Sequence, residues 1–208
     1  MAVDILSGII VIILVFLVYL IYKRTINYTS LNGIFMFVAF ILAFLLKLNS
    51  SGFERMGLRV DNFFEAAIPA GIITIIGFLV FFIFLQEKKL TFKPELFLLY
   101  LIFGILQTIF FQSVFNLTIY DLFNSKTLSI LFTTAFFSLF HYNKKNKTFF
   151  ILAILGGLAW STIFLYSPNV FALGFSHAII AYFYYNLLYK GNILKKRIPF
   201  KLNKKRSR

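Results

Sequence analysis

Few side chains in the apolar parts of this sequence can do chemistry: Gln107, Thr108, Gln112, His141 and His177. An imidazole can gain or lose a proton near neutral pH, and it can ligate a metal. Amides and hydroxyls cannot act as bases there, but they can hold water or a peptide by hydrogen bonds. Gln107, Thr108 and Gln112 fall inside LFLLYLIFGILQTIFFQSVF, residues 96–115. In hydrocarbon each of them needs a partner. Three polar groups so close together predict a helix whose polar face looks into a protein interior. Thr108 and Gln112 are four residues apart and share a face. His141 and His177 are the only histidines and lie on later apolar segments. Each residue has a plain structural reading as well. Threonine can bond its own helix backbone, glutamine can glue helices together, and His141 can sit at a membrane interface. His177 lies well inside its segment, where an ionisable group marks a functional site. Two imidazoles with no cysteine or carboxylate beside them complete no metal shell. No metal and no other cofactor is expected.

The elements that must carry these groups follow from composition. Of 208 residues 60% are hydrophobic and 13% charged, and mean hydropathy is +0.87. A soluble domain carries about a quarter charged residues. Apolar runs recur along the chain, at 5–22, 31–48, 64–85, 94–120, 128–142, 149–166 and 170–189. They predict an all-α, polytopic membrane bundle of about seven transmembrane helices. The first run has no basic segment before it and no small-residue cleavage site, which predicts a retained anchor. Pro94 suits the first turn of its helix, and Gly156–Gly157 permits close helix contact. There is no cysteine, so disulfide and thiol chemistry are excluded. The organisation expected is two N-terminal helices in 1–50, a membrane core in 51–190 and a basic tail in 191–208.

The net charge of +14 follows the topology of the spans. Seventeen of the 21 Lys and Arg lie in alternate loops and the tail; Lys47, Arg55, Arg59 and Lys126 make up the rest. By the positive-inside rule the N-terminus is outside and the tail cytoplasmic. The expected partner is the lipid bilayer, and nucleic acid is not one.

Three polar motifs on successive core helices, preceded by Gly57-Leu58-Arg59, resemble those of the CPBP intramembrane proteases. That family includes type II CAAX prenyl endopeptidases and bacterial bacteriocin-processing and immunity-type proteins. Its pattern is EExxxR, then FxxxH, then HxxxN. Here FxxxH is intact as Phe137 to His141, and the third motif keeps His177 but has Ala181 in place of asparagine. The first motif aligns with Gln107, Thr108 and Gln112, so both glutamates and the arginine are absent. The likeness spans roughly residues 55–190. It implies a bacterial plasma-membrane protein and places the catalytic positions of the family at Gln107, His141 and His177, with Thr108, Gln112 and Ala181 as further degenerate positions. In the family the first glutamate, helped by a histidine, activates water, and the second histidine and asparagine steady the oxyanion.

General-base work needs a group that accepts a proton near the operating pH, which an amide does not. None of the seven acidic residues falls in the middle of an apolar run. An arginine there without a counter-charge is costly, so its loss accompanies that of the glutamates. The reading is a catalytically degenerate relative that binds another membrane protein or a hydrophobic peptide. One alternative is an active intramembrane endopeptidase using His141 and His177, with Gln107 holding the water. A second is a small transporter or lipid-binding protein, for which no internal repeat speaks.

Overall fold

The computed structural model describes residues 2–24, 30–84, 92–142 and 147–188. They form seven helices: α1 Ala2–Arg24, α2 Ser30–Arg55, α3 Phe63–Phe84, α4 Pro94–Phe123, α5 Lys126–His141, α6 Lys147–Tyr166 and α7 Val170–Leu188. Each apolar run expected to be helical is helical over its described residues, except that Tyr142 at the end of the fifth is extended, and no strand occurs among the described residues. α1, α2, α3, α4 and α6 are long and apolar enough to cross a membrane. α5 has 16 residues, and the apolar part of α7 runs Val170–Tyr184. The protein is an integral membrane bundle. The basic tail at 191–208 and the loop residues Lys88, Lys89, Lys144 and Lys145 lie outside the described residues.

α4 is the helix on which the others are arranged. Lys93 is extended (φ −123°) and Pro94 occupies the first turn, where the missing N–H loses no bond. From Ile109 to Asn116 the helix widens into π geometry before returning to α-helix at Leu117–Phe123. Such segments gather at functional sites. Asn124 then turns left-handed (φ 47°), and Ser125 caps α5 by accepting the Leu128 N–H at 3.4 Å. α5 is short, about 24 Å at 1.5 Å per residue, against a hydrocarbon core of about 30 Å. It stops at His141, and Tyr142 is extended.

α4 changes partners halfway along. Its first half packs on α7; its π segment packs on α5, α6 and the α1–α2 pair. Lipid tails are as apolar as leucine, so close backbone approach takes over from the hydrophobic effect. At the α4–α7 contact a Cβ on Gly104 would come within 2.6 Å of the Gly174 carbonyl oxygen. Gly157 does the same for α5 and α6, its Cβ position lying 3.3 Å from the Thr134 Cα. Gly156 instead has its own helix's Trp160 as nearest neighbour. Phenylalanines fill the π side: Phe111, Phe136 and Phe140 interlock edge to face, and Tyr19 of α1 packs on Phe136 and Phe140. The outer surface is apolar, with Ile68, Ile75 and Leu79 of α3 exposed, as a lipid-facing wall requires.

One end of the bundle is capped by two connections that bind each other. Gly57 has φ +72°, and its carbonyl accepts the Val170 N–H at 2.9 Å. Asn169 caps α7 by accepting from Phe171 and Ala172, and donates to the Arg59 carbonyl and to Asn62 Oδ1. Asn62 in turn donates to the Pro168 carbonyl at 3.1 Å. This binding gives the Gly57-Leu58-Arg59 piece a local purpose, locking the α2–α3 connection to the α6–α7 turn. Beside it, the Arg59 side chain donates to Asp61 and holds that carboxyl below its ordinary range. At the same end Asp121 of α4 pairs with Lys47 and Arg55 of α2.

Candidate functional site

Phe137 sets the geometry of the site. It lies on the inner face of α5, and its ring touches Phe111 of α4 (centroids 5.0 Å), Trp160 of α6 (5.8 Å) and His177 of α7 (5.5 Å). His141 sits one turn further along α5, its ring 4.2 Å from Phe137 and 6.3 Å from His177. The two imidazoles thus meet although they come from different helices. His177 is buried, with 7% of its surface exposed. The indole of Trp160 stacks on it at 4.5 Å and 29°.

His141 Nδ1 lies 2.8 Å from the Phe137 carbonyl oxygen. A carbonyl only accepts, so Nδ1 carries the proton. In the neutral ring the lone pair is then on Nε2.

Gln107 reaches the same level by antiparallel register. It precedes Phe111 by one turn on α4, as His141 follows Phe137 by one turn on α5, so both stand about 6 Å from the Phe111–Phe137 contact along the bundle. Gly104, Gln107 and Phe111 form one stripe (i, i+3, i+7). Gly104 packs against Gly174 and Ala178 of α7, on either side of His177, and Phe111 packs against α5. Gln107 lies between these two contacts. Its amide oxygen is buried and has no hydrogen-bond partner among the described residues.

The other two polar groups of α4 turn elsewhere. Thr108 donates to the Gly104 carbonyl at 2.8 Å, the self-bonding that threonine commonly makes. The Gln112 oxygen accepts from Asn116 Nδ2 at 2.9 Å, and Asn116 also reaches the Ser161 carbonyl at 3.2 Å. Ser129 of α5 donates to the oxygens of Asn116. Gln112 therefore belongs to a structural network that ties the π segment to α5 and α6. The arrangement supports helix glue at Gln112 and a free acceptor at Gln107. Ala181, one turn beyond His177, offers no side-chain hydrogen bond.

Sequence reasoning overlooked Asn116, Ser129, Trp160 and Ser176. A signal existed for each: Asn116 is four residues past Gln112 on one face, Trp160 is the only tryptophan, and Ser176 adjoins His177. Among the described residues no group of three or more His, Cys, Asp or Glu is placed to hold a metal ion. The buried polar side chains described include no Asp or Glu.

Residues 89–183 match the family model described as type II CAAX prenyl endopeptidase Rce1-like. The match takes in α4, α5, α6 and most of α7, with all of the polar positions above; Gly57-Leu58-Arg59 lies outside it. No curated protein and no solved structure shows a significant match to the chain.

Proposed function

We propose that this membrane protein, whose residues 89–183 are similar to the type II CAAX prenyl endopeptidases, keeps their substrate-holding frame without their water-activating base. The observation that carries the reading is Gln107. It stands level with His141, with a buried amide oxygen that has no hydrogen-bond partner among the described residues, where the family pattern has a glutamate. An amide there accepts a hydrogen bond but takes up no proton. The ligand is then a hydrophobic peptide or a membrane-protein segment whose backbone N–H is received by the Gln107 amide oxygen. The N-terminus faces outward and the basic tail inward, which places α4 with its N-terminal end on the cytoplasmic side.

The test is photo-crosslinking in liposomes with a prenylated peptide ending in a CAAX sequence, followed by mass spectrometry of both partners. The expected product is intact peptide attached near Gln107, weakened by Gln107→Leu. Attachment unaffected by that substitution contradicts the reading.

A second reading, an active endopeptidase, is favoured by the His141 tautomer. With Nδ1–H donated to the Phe137 carbonyl, the lone pair that a base needs is on Nε2 of the neutral ring. In that case His141 takes the proton of a water held by Gln107, and the same experiment yields truncated peptide.

A further inference from the structure

We propose that Trp160 is the positioning residue for the His177 imidazole, and that Ser176 and Thr74 set the angle of Trp160. An imidazole on a helix in an apolar interior has rotamer freedom that only its neighbours can remove. Trp160 covers one face of the His177 ring at 4.5 Å, and Phe137 presents itself to the ring at 5.5 Å and 66°. A stacked indole leaves the rim of an imidazole open while blocking its rotation.

The indole is itself fixed. Trp160 Nε1–H donates to Ser176 Oγ at 3.2 Å. Ser176 Oγ is 2.8 Å from Thr74 Oγ1 and 3.1 Å from the Ala70 carbonyl oxygen. Thr74 also donates to that carbonyl, at 2.8 Å. The four residues Thr74, Ser176, Trp160 and His177 are all buried and come from three helices. In hydrocarbon an indole N–H without an acceptor is costly, so Ser176 dictates the indole orientation and the indole dictates that of the imidazole. α3, which contributes no residue of the family motifs, is thereby tied to the site through Thr74. This inference rests on His177 belonging to the site, but its geometry does not depend on what the site binds.

The experiment is NMR of the full chain in lipid nanodiscs with ring-labelled histidine and tryptophan. The chain has two histidines and one tryptophan, so few signals arise, and His141→Gln identifies those of His177. Ring-current shielding from Trp160 should displace the His177 ring protons upfield. Trp160→Leu should return them toward free-imidazole positions, and Trp160→Phe should restore part of the displacement. Ser176→Ala should move the indole N–H signal upfield as its acceptor is lost, and shift the His177 protons with it. Thr74→Val should do the same to a lesser degree without touching α6 or α7. His177 signals that stay in place in Trp160→Leu and in Ser176→Ala overturn the proposal. If either variant fails to fold, Trp160→Phe and Thr74→Val are judged by the same criterion. The readout needs no ligand and no activity, so a failure of peptide capture leaves it unaffected.

Discussion

The His141 and His177 rings lie 6.3 Å apart, joined by a single phenylalanine, Phe137, that touches both. His141 is the last residue of the 16-residue α5, one turn past Phe137, and His177 comes to it from α7.

The Asn116 amide is the centre of the interior network. Asn116→Leu keeps the volume but leaves Gln112 Oε1, the Ser161 carbonyl and Ser129 Oγ without this partner. Stranded buried polar groups cost about 1–3 kcal/mol each, so a loss of about 3 kcal/mol is expected. Thermal unfolding in detergent measures it. Serine at 116 should recover part of the loss.

Asp121 anchors α2 to α4 through Lys47 and Arg55. Lys47 is 4% exposed. Asp121→Asn removes the charge that balances it. Breaking a buried pair from one side costs about 3–5 kcal/mol, and the partial exposure of Asp121 puts the effect at about 3 kcal/mol. The change should appear as a lower unfolding temperature and faster proteolysis at the α2 end. Lys47→Met combined with Asp121→Asn should recover most of it.

Arg59 holds the Asp61 carboxyl below its ordinary range through their hydrogen bond. A depressed carboxylate stabilises the fold above its unfolded-state pKa, and that contribution is lost as pH falls through the folded value. Hydrogen-exchange protection in residues 56–62, taken relative to the intrinsic rate at each pH, should therefore fall on acidification, beginning at or below the ordinary aspartate range and not above it. Both groups are solvated, so the effect should shrink in high salt. Asp61→Asn should abolish this pH dependence.

Gly57 combines φ +72° with a Cβ position 2.9 Å from the Asn169 N and the Pro168 carbonyl carbon. Gly57→Ala incurs left-handed strain and pushes backbone against backbone. A loss of about 2 kcal/mol is expected, from about 1–3 kcal/mol for such conformations. Gly52, also at positive φ (+74°), has nothing within 4 Å of its Cβ position. Gly52→Ala should therefore be milder. Side-by-side unfolding of the two variants separates strain from contact.

The helices and the Phe137–His141 turn were legible because their signals are local, whereas the meeting of His141 with His177 rested on the family resemblance. Apolar runs give spans, and Phe137 to His141 is a one-turn spacing that survives into the fold unchanged. The fate of Gln112 was illegible. Its partner Asn116 sits four residues away, but only the tertiary approach of Ser129 and Ser161 decides that the pair faces α5 and α6 and not the imidazoles. Trp160 was passed over because a lone tryptophan in an apolar run looks like filler.

We propose a frame that holds a peptide and does not cut it. The most direct test is cleavage of a prenylated CAAX peptide by the purified protein in liposomes, followed over time by mass spectrometry. The prediction is intact peptide, at the same level as in protein-free liposomes. Cleavage that disappears in His141→Ala or Gln107→Ala rules out a non-cleaving frame and makes the chain an enzyme.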